Sequence, residues 1–420
     1  MLSRLVEQRH GAVRVRALGG NRADEVRFWR FLHNRRVTPG EMVEAAAACT
    51  LERVRGRHVL AIQDTTSLRD ASNTSKRSLH LHPLIAVDAA DGSLLGLVHA
   101  AFLHRSGGRR ETRKQRPIAE KESRRWLEAT IHAGSLAQAG ATCVTVIADR
   151  EGDIYEEFAL RPPEVDLVIR AQQDRVLAEP IGGLLSRCLD GVAELGRESV
   201  ALPAGPGRAA RTATLALRTR PVRIKAPNRR CCGPDEVALW LVEAREIDPP
   251  DEASAAHWRL LTTHAVPHLA AARQIIGFYR QRWTIEQLFR TMKTKGFDIE
   301  SSQVEEGGPF ENLAAATLIA SVQVLQMVRE RDGVARRPLT DAFDPADQPA
   351  MAAINATLDG KTERQKNPHP PNSLAWASWI CARLGGWNCY YGKPGPITIH
   401  NGLLRLRALL HGWRLRGGVV

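Results

Sequence analysis

Hydrophobic periodicity divides the chain into alternating strand-like and helix-like stretches. Helical periodicity follows the start signal Thr38-Pro39, and it recurs over residues 268–295, between Pro267 and Gly296. Strands that alternate with helices in this way predict a mixed α/β (α+β) core. The apolar runs of strand length lie at residues 58–63, 84–87, 93–102, 141–148 and 166–171.

A long β-type region separates the last of these strands from the helix at 268–295. Its strand-like patterns lie at 212–225, 236–244 and 258–263. In the first of them, apolar residues alternate with Arg218, Arg220, Arg223 and Lys225. We interpret the region as a β insertion that interrupts the core. Its basic alternation suits a DNA-facing sheet and is equally typical of a solvated edge strand.

The stretch 268–295 carries four polar side chains with related chemistry. At about 100° per residue in one continuous helix, Glu286 and Lys293 fall almost above Tyr279. Arg282 stands about 60° to one side of them. Apolar residues fill the adjoining arc, so Glu286 is expected where solvent meets the core. A carboxylate among phenol, guanidinium and ammonium groups suits a site for metal and phosphate, whereas an ordinary amphipathic helix with a solvated polar face gives the same pattern.

Two of the predicted core strands end in an aspartate. Asp64 follows the strand at 58–63, and Asp149 follows the strand at 141–148. An aspartate in such a position is often only a turn former. With a helix-borne glutamate, however, two strand-end aspartates can converge at one end of a sheet and hold two metal ions for phosphoryl transfer. Mg²⁺ prefers carboxylate oxygens of this kind.

Charge points to a polyanionic partner. The 420 residues carry a net charge of +13, which favours nucleic acid over an acidic small molecule. No run of about 18 apolar residues predicts a membrane span, and the charged N-terminus lacks a signal-peptide core. We therefore expect a cytoplasmic, nucleoid-associated protein. The seven cysteines show no C-x-x-C spacing and are expected to be reduced thiols.

Helical segments flank the predicted core. Residues 1–20 are basic, and helices are predicted near 25–32 and 39–53. A basic loop from Arg105 leads into a helix near Glu120. Beyond the core, an apolar helix at 311–331 is expected to pack against it, and a C-terminal helical region spans 374–384 and 402–413. The N-terminal arginines that suit phosphate contacts, or equally a solvated face, are Arg22, Arg27, Arg30, Arg35 and Arg36.

The polar residues of the stretch 268–295 follow the spacing Tyr-x₂-Arg-x₃-Glu-x₆-Lys. With Asp64 in Ile-Gln-Asp-Thr-Thr-Ser and Asp149 in Ala-Asp-Arg-Glu-Gly-Asp-Ile, this spacing resembles the signature of the DDE transposases of the insertion-sequence-four family, close to the Tn-five branch. The likeness extends from near Phe28 to the C-terminal helix. Further matching segments lie at 120–123, 258–262, 373–376 and 382–386.

The resemblance implies a fold and a reaction. The fold is a ribonuclease-H-like core with a β insertion between the second aspartate and the glutamate. The reaction is cut-and-paste transposition, in which one strand of double-stranded DNA is nicked at the transposon end. The freed 3′-hydroxyl then attacks the other strand to form a hairpin, and the resolved end joins target DNA.

The resemblance also assigns roles to individual residues. The ligands of two Mg²⁺ ions, for which Mn²⁺ substitutes, would be Asp64, Asp149 and Glu286. The side chains that grip DNA phosphates near a flipped base would be Tyr279, Arg282 and Lys293. Trp258 would stack on that base, although a core aromatic on a strand fits its position as well.

Five regions are predicted. They are a helical DNA-binding region (1–55), the first part of the core (56–172), the β insertion (173–262), the second part of the core (263–332), and a C-terminal helical region (333–420). The resemblance implies that the last region pairs two transposon ends as a homodimer, with ordinary helical packing as the alternative. Family members usually carry more sequence before Phe28, so part of the end-recognition surface is expected to be absent.

Two other functions stay open at this point. One is a truncated or domesticated DNA-binding relative without catalysis. The other is a sequence-nonspecific nuclease on the same core. In such a nuclease, Tyr279, Arg282, Lys293 and Trp258 would have no role in the reaction.

Overall fold

The chain forms two compact units, each made of several segments. The sheet unit comprises Gly56–Asp64 and Gly107–Trp283, and the helical unit comprises Met1–Arg55, Thr65–Ser106 and Thr284–Val420. A computed structural model describes residues 22–68, 79–104, 118–202, 209–227, 233–251, 255–302, 304 and 307–416.

Strands and helices are numbered in chain order within the described residues. The strands are β1 (His58–Gln63), β2 (Thr66–Leu68), β3 (Leu79–Asp88), β4 (Leu94–His104), β5 (Cys143–Ala148), β6 (Val165–Arg170), β7 (Gly196–Leu202), β8 (Arg211–Lys225), β9 (Glu236–Glu246) and β10 (His257–Thr262). The α-helices are α1 (Arg22–His33), α2 (Pro39–Arg53), α3 (Arg124–Gln138), α4 (Tyr155–Leu160), α5 (Leu269–Arg280), α6 (Trp283–Lys293), α7 (Gly307–Glu330), α8 (Gln348–Leu358), α9 (Leu374–Leu384) and α10 (Pro396–Arg416).

The sheet unit is organised around parallel strands. β1, β5 and β6 pair in parallel, and their apolar residues are almost entirely buried. The strand order continues β6-β10-β9-β8-β7 with antiparallel pairing, so the inserted strands extend the same sheet. Helix α3 packs on β1, β5 and β6. Because parallel strands present their carboxyl ends at one edge, this arrangement concentrates the strand-end residues there.

The helical unit packs helices around an antiparallel hairpin. β3 pairs with β2 and β4. Helix α2 lies against β4, where Thr50 Oγ1 donates to the Leu97 carbonyl at 2.7 Å. Helices α9 and α10 approach so closely that a Cβ on Gly402 would lie 1.5 Å from the Cys381 carbonyl oxygen. Only glycine fits at that crossing.

Helix α7 is the centre of the helical unit. It contacts β4 and helices α1, α2, α9 and α10. By length and composition it is the one described helix that could cross a membrane, yet 83% of its apolar window is buried. Burial of this kind is typical of a core helix, which confirms the predicted packing of the apolar stretch.

The predicted mixed α/β fold is confirmed, and most predicted elements fall within a few residues of the observed ones. Thr38 caps α2 as its start signal indicated, with Glu41 completing the capping box. The helix predicted near Glu120 begins later, at Arg124, after a short 3₁₀ turn. Cysteines 49, 143, 188, 381 and 389 are free thiols, as predicted. The basic stretches at 1–20 and 105–117, together with Cys231 and Cys232, lie outside the described residues.

The prediction of one continuous helix over 268–295 is wrong. Helix α5 begins after His268, whose side chain accepts from Ala271 N, but it ends at Arg280. Residues 281 and 282 form a turn, and α6 then begins at Trp283. The spacing of about 100° per residue therefore relates Glu286 to Lys293, which both lie on α6. It does not relate them to Tyr279 or Arg282, which come before α6 begins.

Strand β8 is not a solvated edge, because it pairs with β7 on one side and β9 on the other. Two of its basic side chains are matched by acidic ones on β9. Arg223 lies 3.1 Å from Glu236, and Arg218 lies 3.7 Å from Glu243. This part of the basic alternation stabilises strand pairing across the sheet.

Candidate active site

Asp64 and Asp149 occupy matching positions after neighbouring parallel strands. Ile62 of β1 pairs with Ile147 of β5, so each aspartate comes two residues beyond this pair. Both aspartates are half-buried. Two of the three predicted carboxylates are thus brought to one edge of the sheet unit.

The two aspartates have different hydrogen-bond partners. Arg282 Nη1 lies 3.0 Å from Asp64 Oδ2, and both side chains are largely shielded from solvent. Asp149 caps the 3₁₀ turn that follows it, with Oδ1 accepting from Glu151 N at 2.8 Å. Arg282, a predicted phosphate ligand, therefore pairs with a predicted metal ligand in this structure.

A second group of side chains in the sheet unit joins Tyr279 to Trp258 and Arg170. The Trp258 and Tyr279 rings meet edge to face, with centroids 5.7 Å apart. Trp258 is half-buried on β10, while Tyr279 is buried. The Tyr279 hydroxyl is hydrogen-bonded to Arg170, the last residue of β6. Burial raises the pKa of the Tyr279 phenol, against the opposing effect of Arg282 and Arg170, so the phenol is neutral at neutral pH.

Arg170 belongs to this edge of the sheet, although sequence analysis did not single it out. Ala148 of β5 pairs with Ile169 of β6, which places Arg170 level with Asp149. The sequence did contain a signal for Arg170, because β6 ends in this charged residue, and β1 and β5 are each followed by a charged residue. The structure thereby adds a third cationic or phenolic side chain to Tyr279 and Arg282.

Glu286 and Lys293 lie on α6 in the helical unit. Glu286 is half-buried beside the buried Ile285 and Leu288, which confirms that it lies at the margin of the core face. Lys293 Nζ donates to the Ser67 carbonyl at 2.5 Å and lies 3.2 Å from Glu300 Oε1. That Glu286 completes the aspartate pair stays a prediction.

A buried polar cluster, which the sequence did not predict, includes the residue that precedes Asp64. Gln63 Nε2 donates to Glu157 Oε1 at 2.8 Å, and Thr130 Oγ1 donates to the same oxygen at 2.9 Å. All three side chains are fully buried. Burial raises the pKa of Glu157 to about 8, so its carboxyl is a neutral acid near neutral pH. Two adjacent glutamates in a short helix gave no signal of burial.

The donor chemistry at this edge fits a hard divalent cation. Asp64 and Asp149 supply carboxylate oxygens, the ligands that Mg²⁺ prefers. Within the described ranges, no three Asp, Glu, His or Cys side chains already form a group that could hold an ion. The sheet unit thus offers the carboxylate oxygens of Asp64 and Asp149 as possible cation ligands, and Arg282 lies against one oxygen of Asp64.

Residues 50–322 match the family model described as "Transposase DDE domain". The matched range is well over half of the 420 residues and contains every predicted site residue. With the mixed α/β architecture, this match confirms the predicted ribonuclease-H-like fold.

Proposed function

The chain belongs to the DDE transposase family, and from that premise we propose that it moves DNA by a cut-and-paste route. Members of this family cleave and join DNA and use divalent metal ions. The proposed steps are a 3′ nick at the transposon end, a hairpin, and transfer of the resolved end to target DNA. The finer assignment to the Tn-five-like branch of the insertion-sequence-four family rests on the spacing of Tyr279, Arg282, Glu286 and Lys293.

The observation that carries this proposal is the matched placement of Asp64 and Asp149 after neighbouring parallel strands. In the proposed site, these two carboxylates and Glu286 hold the metal ions. We expect two Mg²⁺ ions, with Mn²⁺ able to substitute. When bound, the cations activate the attacking oxygen and stabilise charge on the phosphate.

Arg282 changes partner in the proposed reaction. In the protein alone it neutralises Asp64 across 3.0 Å. A guanidinium binds phosphate in the same forked geometry as carboxylate, so an incoming DNA phosphate is a suitable new partner. The exchange would expose the Asp64 oxygen only when substrate is present, and Lys293 and Tyr279 would hold neighbouring phosphates.

Trp258 is proposed to stack on a base that leaves the duplex during hairpin formation. Its ring is half-buried and braced by Tyr279, so one part is fixed while another remains accessible. Stacking on an aromatic side chain offsets part of the cost of unstacking a base. A core aromatic would instead be expected to be fully buried.

Binding of DNA ends and dimerisation are assigned to the helical unit. Arg30, Arg35 and Arg36, on and after α1, are exposed and are proposed to contact phosphates, and α10 ends in the exposed apolar residues Leu409, Trp413 and Leu415. We propose that this end of α10 contributes to a homodimer that pairs two transposon ends. The five-region division and the cytoplasmic, nucleoid-associated location stay predictions.

The second candidate is a DNA-binding relative without catalysis. The Arg282–Asp64 ion pair favours it, because that pair shields a predicted metal ligand. Duplexes with the terminal inverted repeats that flank the gene, incubated with Mg²⁺ or with EDTA, separate the two candidates. Metal-dependent nicks followed by hairpins support the transposase, whereas DNA binding without cleavage in both Mg²⁺ and Mn²⁺ supports the non-catalytic relative.

A further inference from the structure

The buried cluster behind Asp64 joins three elements of the sheet unit. Glu157 comes from α4, Thr130 from α3, and Gln63 is the last residue of β1. Both donors converge on Glu157 Oε1, and Gln63 Nε2 also lies 3.1 Å from Thr130 Oγ1. The cluster therefore fixes the side chain of the residue that immediately precedes Asp64.

Burial of the Glu157 carboxyl group costs free energy of folding. Its carboxyl is fully buried, and its second oxygen, Oε2, has no hydrogen-bond partner within the part of the chain that the structure describes. A leucine of similar size would avoid the desolvation of a carboxyl group, and replacing buried polar groups by apolar ones is often neutral or stabilising. Stability alone therefore gives a weak reason for a carboxyl group here.

A neighbouring carboxylate secures the end of β6, the strand that pairs with β5. Asp153, which precedes α4, accepts from Gln172 N at 2.7 Å and from Gln173 N at 2.6 Å, just after β6. It also accepts from Arg175 Nε at 3.0 Å. The segment from Asp149 to Glu157 thus holds the ends of β1 and β6 through side-chain hydrogen bonds.

We propose that Glu157 is a positioning residue for Asp64, acting by clamping Gln63 and thereby the end of β1. The inference rests on the proposed function, in which Asp64 holds metal. Outer groups that orient metal ligands are commonly worth about 10–100-fold in metal affinity or activity. Glu157 itself is no candidate ligand, because it is fully buried and both donors bind its Oε1.

Three substitutions test the clamp. Glu157→Leu removes both hydrogen bonds, Thr130→Val removes one donor with little change of shape, and Glu157→Gln keeps an acceptor oxygen in a neutral side chain. Each variant is titrated with Mn²⁺ by calorimetry without DNA. The Mg²⁺ concentration for half-maximal nicking and the melting temperature are measured alongside.

We expect Glu157→Leu to weaken Mn²⁺ binding about tenfold or more and to raise the Mg²⁺ requirement in parallel. Thr130→Val should shift the Mn²⁺ affinity and the Mg²⁺ requirement in the same directions by smaller factors. Glu157→Gln should remain close to wild type in both quantities. Leu136→Ala, at a buried position six residues beyond Thr130 on the same helix, controls for loss of stability alone. It should lower the melting temperature and leave Mn²⁺ affinity unchanged.

The behaviour of the wild-type protein separates failure of the positioning role of Glu157 from failure of the proposed function. If wild type nicks DNA and binds Mn²⁺, and Glu157→Leu matches it in Mn²⁺ affinity, the positioning role is overturned while the proposed function stands. If Glu157→Leu does not fold, Thr130→Val decides, and unchanged Mn²⁺ affinity in that variant overturns the clamp. If wild type neither binds Mn²⁺ nor nicks, the proposed function fails, and the positioning role fails with it.

Discussion

Arg282 holds Asp64 through an ion pair in which the guanidinium Nη1 lies 3.0 Å from the carboxylate Oδ2. Both side chains are largely shielded from solvent, so water screens the attraction between the two charges less than it does at the surface. The pair joins the first strand-end aspartate to the turn between α5 and α6. A cation that binds Asp64 in the proposed site would therefore compete with Arg282 for the same oxygen.

Substitution of Arg282 should separate metal binding from DNA processing. In Arg282→Ala without DNA, we expect Mn²⁺ to bind roughly tenfold more tightly, about 1.4 kcal/mol, because the competing charge is gone. Nicking should nevertheless slow, because a phosphate contact is lost. Arg282→Lys keeps the charge without the fork and should bind Mn²⁺ about as weakly as wild type. Weaker Mn²⁺ binding by Arg282→Ala, measured by calorimetry, would contradict the competition.

Trp258 should matter for the hairpin and not for the first nick. Unstacking a base costs a few kcal/mol, and an aromatic side chain returns about 1–3 kcal/mol per base. Trp258→Ala should therefore nick normally and accumulate nicked ends on a gel that resolves nicked and hairpin DNA, while Trp258→Phe keeps most of the hairpin yield. If nicking and hairpin formation fall together, the tryptophan is a core residue that supports Tyr279.

Glu157 should make stability fall as pH rises. Its pKa is 4.5 in an ordinary environment and about 8 in the folded protein, because burial disfavours the charged form. Between these values the folded protein keeps a proton that the unfolded chain has released. The contribution is therefore fully present below about pH 4.5 and is lost as pH rises through about 8.

The Glu157→Gln variant isolates that dependence. Glutamine cannot ionise, so the melting temperature of the variant should fall less than that of wild type between about pH 5 and pH 8. The comparison cancels the other titrating groups that both proteins share. If the melting temperatures of the two proteins fall by the same amount across this pH range, Glu157 is not a buried acid with a raised pKa.

DNA binding should weaken steeply with salt. If about four phosphates are neutralised, affinity should fall at least roughly 100-fold between about 50 and 200 mM salt. Replacing the exposed Arg30, Arg35 and Arg36 by Gln should lower the slope by about one unit for each true phosphate contact. Arg223→Gln is the matched control, because Arg223 is paired with Glu236. An unchanged slope in the triple variant would move the DNA surface elsewhere.

The strand ends were predictable because local signals agreed there. The run before Asp64 is apolar and is followed by the polar sequence Asp-Thr-Thr-Ser, and the run before Asp149 is likewise followed by polar residues. Burial pattern and turn chemistry thus marked the same boundary. The level placement of the two aspartates required the pairing register, which periodicity does not contain.

The break at 281–282 was not predictable from local propensity. Arg, Gln and Trp are all compatible with a helix, and no glycine or proline marks the turn. The break lies next to the boundary between the two compact units, which is a feature of the whole fold that local propensity does not contain. The salt bridges of β8 with β9 were hidden for a related reason, since partners more than a dozen residues apart depend on strand register.

The burial of Glu157 was likewise not predictable from the local sequence. An adjacent pair of glutamates in a six-residue helix is usually solvated, whereas Glu156 and Glu157 are both buried. The donors that make the burial of Glu157 tolerable come from β1 and α3, far away in sequence. Only the assembled sheet unit reveals the cluster.

The central claim is that Asp64, Asp149 and Glu286 form one metal-dependent catalytic site. Its most direct test is the rate of Mg²⁺- or Mn²⁺-dependent nicking by Asp64→Ala, Asp149→Ala and Glu286→Ala, each measured beside DNA affinity. Glu128→Ala, which removes an exposed ion pair with Arg124, serves as control. Loss of a ligand should slow nicking by roughly a thousandfold or more, about 4 kcal/mol in the barrier, while DNA affinity stays largely intact. Undiminished nicking by any of the three variants would contradict the claim and remove that residue from the site.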